Sequence, residues 1–196
     1  LAELREDPVA FAEKKFPIPS GVVYGADTRA ESLIKEVRKY LGKDRGLDSF
    51  KIQLVDTIKG DSEAQYDPIA GVIRIALDAP SLNDPNLSFQ ETVSEANKLV
   101  DHELVHWAFR SGLITRGEYN VLKRAAARTP IKPAVLASIN RSRAANNQEP
   151  LPPDYTYQQL AVDAYKEQGD IEGWIDEDFT EEAIAFMAQD FGADKK

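Results

Sequence analysis

Apolar residues along this chain recur first at helical spacing, then at every second position, then at helical spacing again to the end. Leu33, Val37 and Tyr40 or Leu41 share one side of a segment from about Asp27 to Tyr40, which predicts a helix ended by Gly42. Phe50-Lys51-Ile52-Gln53-Leu54-Val55 alternates as a half-buried strand does. Gln65-Tyr66 and the run Gly71 to Leu77 flank Asp67-Pro68-Ile69-Ala70, a turn composition that predicts a hairpin. Arg74 interrupts the second run, which suggests a sheet with an exposed face or edge.

Ser88 with Glu91 three positions later fits a capping box, so a helix is predicted from there to about Arg110, stopped by Ser111-Gly112. Further helices are predicted over 116–128, 133–146, 155–168 and 180–191, with a proline-bearing surface loop or linker over 147–154. Residues 1–25 read as a lead-in closed by Pro17-Ile18-Pro19-Ser20-Gly21. That leaves 26–196 as one domain, with a sheet-containing part over 26–112 and a helical part over 113–196. Strands first and helices afterwards predict an α+β fold: a small mixed or antiparallel sheet packed on the 88–110 helix, then a mainly helical C-terminal part.

Composition narrows the chemistry. Hydrophobic residues make up 42% of 196, enough for a core, and the formal charge of −9 disfavours nucleic acid and anionic membrane surfaces as partners. The absence of cysteine removes disulfides, thiolate nucleophiles and cysteine zinc sites. No apolar stretch is long enough to span a bilayer, and Leu1 to Pro17 carries no signal-peptide core. The chain reads as a processed or excised piece of a larger polypeptide, and the absence of cysteine does not fix its compartment. No glycine-rich phosphate loop and no serine nucleophile elbow is present.

One short run carries chemistry. His102-Glu103-Leu104-Val105-His106 is an HExxH sequence, and residues four apart on a helix return to the same face, so both imidazoles can grip one metal ion. Glu103 lies beside them, placed to take a proton from zinc-bound water. The chain has only two histidines, and chance places them in this pattern on the order of once in a thousand. The plainer reading is two solvated helix histidines. Against it, Phe89, Val93, Ala96, Val100, Leu104, Trp107 and Ala108 form one apolar stripe while Leu99, Val105 and Phe109 make the other side apolar too. Histidines on a helix covered all round need partners, and a metal is one.

This HELVH helix preceded by a hairpin resembles the zincin metallopeptidases. The resemblance implies hydrolysis of a peptide bond in a protein or peptide substrate, which lies antiparallel to an edge strand, here Gly71 to Leu77. Catalytic zinc takes three protein ligands and keeps a position for water, and with no other histidine or cysteine the third must be Asp or Glu. Gly112 stands where a metzincin would need histidine, which leaves the gluzincin arrangement with a glutamate from a second helix. Glu182-Ala183-Ile184, with Ala185 after it, is similar to the thermolysin-type glutamate helix. Glu181 competes with Glu182, because it shares the stripe of Ile184, Met187, Ala188 and Phe191, and Glu118 is a third candidate. The dipole of a helix's first turn accounts for acidic residues there without any function.

The chain departs from the family pattern in its 76-residue gap between His106 and Glu182, in lacking an Asp four residues after Glu182, and in lacking a third histidine for an oxyanion. Tyr155 and Tyr157, then Tyr119 and Arg110, are the candidates for that last role. Loosely, the chain is similar to metallopeptidase-like domains of phage and prophage polyproteins, and also to ImmA/IrrE-type proteases. The expected set is therefore His102, His106 and Glu182 on Zn2+, with Glu103 as general base. The alternative is an inactive zincin-fold binding or scaffold module. Trp107 and Trp174 read as core or cleft-wall aromatics, Lys123, Arg124 and Arg128 as a solvated face or a site for an acidic segment, and Asp176-Glu177-Asp178 as a calcium site or a loop leading into a helix.

Overall fold

The computed structural model describes residues 28–44, 46–47, 50–59, 62–168 and 173–192, so the lead-in expected over 1–25 lies outside the described residues. In order they form α1 (Thr28–Lys39) with a π-helical turn (Tyr40–Asp44), β1 (Lys51–Val55), β2 (Ala64–Asp67), β3 (Val72–Ala76), α2 (Phe89–Arg110), α3 (Arg116–Ala126), α4 (Pro133–Ala145), α5 (Tyr157–Gln168) and α6 (Asp176–Gly192). The fold is α+β. The chain divides into two compact units, Leu1–Trp107 and Ala108–Lys196.

In the first unit the sheet order is β1-β3-β2, with β1 parallel and β2 antiparallel to β3. The expectation that the Gly71 to Leu77 strand forms an edge is corrected: β3 is the middle strand. Its residues explain why. Val72, Ile73, Ile75 and Ala76 are all buried, and a strand whose side chains are apolar on both faces suits the covered middle of a sheet better than its edge. The hairpin pattern revealed only the neighbour closest in sequence. Gly71, at φ +62°, takes the left-handed conformation that closes the turn. Asp67 pins the turn by accepting from the amides of Ile69 (2.9 Å) and Ala70 (3.0 Å), and its other oxygen meets Arg74 at 2.8 Å. Burial pushes the Asp67 carboxyl up, but the two amides and the Arg74 guanidinium outweigh it and hold the group below the ordinary carboxylate range.

Helix α2 starts where the capping box predicts. The Ser88 amide donates to Glu91 Oε2 (2.7 Å) and the Glu91 amide to Ser88 Oγ (3.3 Å). The Ser88 hydroxyl, then its amide, draws the Glu91 carboxyl below its ordinary value. From Thr92 onward few of its residues face solvent, as the apolar residues on both sides require. The helix ends in a six-to-one bond from Leu113 N to Ala108 O (3.0 Å), with Gly112 at φ +68°. Val93, Ala96, Leu99 and Val100 join Leu33, Val37, Ile52, Ile73 and Ile75 in one apolar core.

The second unit is helical. Thr115 and Glu118 form a full capping box for α3, and Thr156 with Gln159 repeats the device at α5. Pro133 opens α4 at a position where no intrahelical amide bond is lost. The predicted loop 147–154 is mostly exposed, and Asn140 ties it down with bonds to both the N–H and the C=O of Leu151 (2.7 and 3.1 Å). Helix α6 begins at Asp176 rather than near Thr180. Asp178 accepts from the Ile175 amide at 2.8 Å, and the acidic run sits in the first turn, where the helix dipole favours it.

Candidate metal centre

His102 and His106 stand one turn apart on α2, their ring centroids 5.0 Å apart and tilted by 60°. His106 is buried and His102 half-buried. Both belong to a helix whose ends are fixed by the Ser88–Glu91 box and the Gly112 stop. Glu103, only 7% exposed, projects to the sheet, where its Oε2 accepts from the Tyr66 amide at 2.6 Å. The β2–β3 ladder explains that donor. Ala76 N bonds Glu63 O, and pairing alternates along antiparallel strands, so the Tyr66 N–H points away from β3. Sequence reasoning missed this bond, because a strand's outward amides carry no residue signature.

Asp101, next to His102, is buried and accepts from the Tyr40 hydroxyl at 2.6 Å. It too was not singled out, since a lone Asp on an amphipathic helix reads as solvent-facing. Trp107 packs edge-on against Phe50 at 5.1 Å, as expected of a core aromatic.

Glu182 lies in the second turn of α6, beyond the first-turn residues Asp176, Glu177 and Asp178, so the dipole does not account for it. Its Oε2 accepts from the Tyr165 hydroxyl at 2.7 Å. Among the described residues, His102, His106 and Glu182 make up a group that could hold a metal ion, each offering one ligand atom, with these atoms within 4.8 Å of one another. Glu181 and Glu118 are not in that group. Glu118 is the exposed capping partner of Thr115, whose hydroxyl and amide hold its carboxyl below the ordinary value.

Two imidazoles and a carboxylate are the donor set of a catalytic zinc site with a position left for water. Three atoms this close leave a point no more than about 2.8 Å from all of them (4.8 Å over √3). Zinc bonds to nitrogen and oxygen run roughly 2.0–2.2 Å. The chemistry of the donor set is one that a metal ion could take.

Two of the tyrosines expected to serve an oxyanion donate to carboxylates. Tyr155 donates to Asp163, and the fully buried Tyr157 donates to Asp190 at 2.7 Å. Tyr119 meets Phe109 edge-on at 5.6 Å, and its buried hydroxyl has no hydrogen-bond partner among the described residues. Arg110 is exposed at the end of α2. Trp174 stacks on Tyr165 at 4.6 Å. No helix among the described residues is long and apolar enough to cross a membrane.

No protein-family model, no curated protein and no solved structure matches this chain.

Proposed function

We propose that this chain is a zinc-dependent metallopeptidase of gluzincin type, hydrolysing a peptide bond in a protein substrate. The observation that carries the reading is the His102–His106–Glu182 group with ligand atoms within 4.8 Å of one another, on a helix that also presents Glu103. A zinc ion held by that group would supply Lewis acidity and bring the pKa of water toward neutrality.

Glu103 does the proton work. Its carboxylate is fixed by the shared helix and by the Tyr66 amide, so it meets an attacking water without reorganising. It accepts the water's proton and delivers it to the leaving amine. The low exposure of Glu103 and His106 keeps bulk water from competing for those protons. β2 is an edge strand, so its outer side rather than β3 is where an extended peptide would pair, through backbone groups other than the Tyr66 amide that Glu103 holds.

Zinc content and peptide cleavage test the reading together. Purified protein is expected to bind one zinc ion, and His102→Ala to abolish binding. Glu103→Ala is expected to keep the zinc while cleavage of an unstructured protein falls by at least about a hundredfold. Wild-type protein that takes up no zinc sinks the proposal. A specific observation favours the second reading, a zincin-fold binding module: Tyr155 and Tyr157 already donate to Asp163 and Asp190. Zinc binding by the wild type with no cleavage of any protein substrate would select it.

A further inference from the structure

The hydroxyl of Tyr165 sits 2.7 Å from Glu182 Oε2. Nothing about α5 alone requires a hydroxyl there. The ring is held on several sides: it lies 4.6 Å from Trp174 and 6.5 Å from Phe186, and Trp174 in turn lies 5.2 Å from Phe179. A phenylalanine would keep every one of those ring contacts. The oxygen therefore has a separate task from the ring: it donates to a carboxylate.

That carboxylate is unusual for α6. The acidic residues explained by the helix dipole occupy the first turn, whereas Glu182 follows Thr180 and precedes Ala183, Ile184 and Ala185, all four of them buried. A glutamate flanked by buried residues has rotamers to choose from and solvation to lose. A donor on one oxygen fixes the carboxylate plane and removes the entropy cost of orienting it when a cation arrives.

We propose that Tyr165 is a positioning residue for Glu182, holding its carboxylate ready for a divalent cation. This rests on the reading that Glu182 is a metal ligand. The pairing is independent of the HExxH sequence and lies wholly within α5 and α6.

Zinc affinity, measured with the ion alone in competition with a chromophoric chelator, reads the effect without any assay of activity. Tyr165→Phe is expected to weaken zinc binding by about 10- to 100-fold. The same change in a Glu182→Ala background is expected to alter affinity by less than about twofold, because the residue it acts through is gone. Melting of the metal-free Phe variant should stay close to wild type, since the aromatic cluster is intact. Equal losses in both backgrounds, or a Phe variant that fails to fold, would make the hydroxyl a packing support and overturn the assignment. Wild-type zinc binding with an unchanged Phe variant overturns this inference and leaves the proposed function standing. No zinc uptake by the wild type overturns both.

Discussion

Leu1–Trp107 buries Leu33, Val37, Ile52, Ile73, Ile75, Leu99 and Val100 in one contiguous cluster, whereas in Ala108–Lys196 the buried Ile131, Leu136 and Ile184 are interspersed with Ala126, Ala161, Ala183 and Ala185 and with the rings of Tyr155 and Tyr157. An alanine removes little apolar area from water, so it contributes a fraction of what an isoleucine does. The second unit makes up part of the difference with polar side chains. Tyr155 donates to Asp163, Tyr157 to Asp190 and Tyr165 to Glu182. Each bond joins a tyrosine of α5, or just before it, to an acidic residue of α5 or α6. The first unit gains definition from branched apolar side chains, the second from directional bonds that set how two helices register. The difference also explains why the tyrosines looked catalytic: residues that serve as donors in a structural network are the same types that serve in active sites.

If apolar packing carries the first unit, truncating its centre should have the largest effect in the molecule. Ile75 is fully buried in β3 and belongs to one apolar cluster with residues of α1 and α2. Ile75→Ala is expected to cost about 2–5 kcal/mol, through lost transfer energy and the cavity left behind. Urea unfolding followed by circular dichroism measures it. A loss below about 1 kcal/mol would mean that the cluster collapses around the gap and that the contrast between the units is overstated.

The second unit is probed by removing a hydroxyl and nothing else. Tyr157 is fully buried and donates to Asp190 at 2.7 Å, while its ring neighbours Phe191 at 6.2 Å. Tyr157→Phe leaves the ring in place and withdraws a hydrogen bond to a charged group, with an expected cost of about 1.5–3 kcal/mol. The same urea experiment reads it. A neutral substitution would show that Asp190 finds an equivalent donor, and that ring packing holds α5 to α6.

The sequence made some of this legible for physical reasons. Alternation and periodicity report one residue's burial at a time, so β1, the β2–β3 hairpin and the covered α2 were readable from Lys51, Ile73 and Val100 and their neighbours. Capping boxes are local too, and Ser88 with Glu91 announced the start of α2. Pairings between distant residues leave no such mark. The parallel register of Lys51 with Val72, which puts β3 in the middle, has no signature in either segment. The start of α6 was misplaced because Asp176-Glu177-Asp178 resembles a loop until Asp178 is seen capping Ile175. At the candidate site the paired histidines and Glu103 were legible because their chemistry is written in consecutive residues. Tyr66, Tyr40 and Tyr165 were not, since each acts across a long sequence gap on an acid that gives no hint of needing a donor.

The smallest expected effect concerns the ion pair that closes the β2–β3 turn of the first unit. The Asp67 carboxyl is held low: burial acts to raise it, but the Ala70 and Ile69 amides and then Arg74 prevail. A carboxyl whose folded pKa lies below its unfolded value adds stability that is fully present above the unfolded value, about 3.9, and is lost as pH falls through the folded one. Asp67→Asn removes the ion pair with Arg74 while leaving an oxygen for the turn amides. The two side chains are 16% and 25% exposed, so solvent screens the pair and the loss near neutral pH should be at most about 1 kcal/mol. The informative measurement is the difference between wild-type and Asp67→Asn urea midpoints across pH. It should be flat above about pH 5 and should shrink below about pH 4, as the wild-type carboxylate takes up a proton and becomes as neutral as the amide. A difference that grows toward acid would mean that the hairpin is held by a protonated Asp67. It would also remove the ion pair with Arg74 as the reason this turn differs from the apolar cluster beside it.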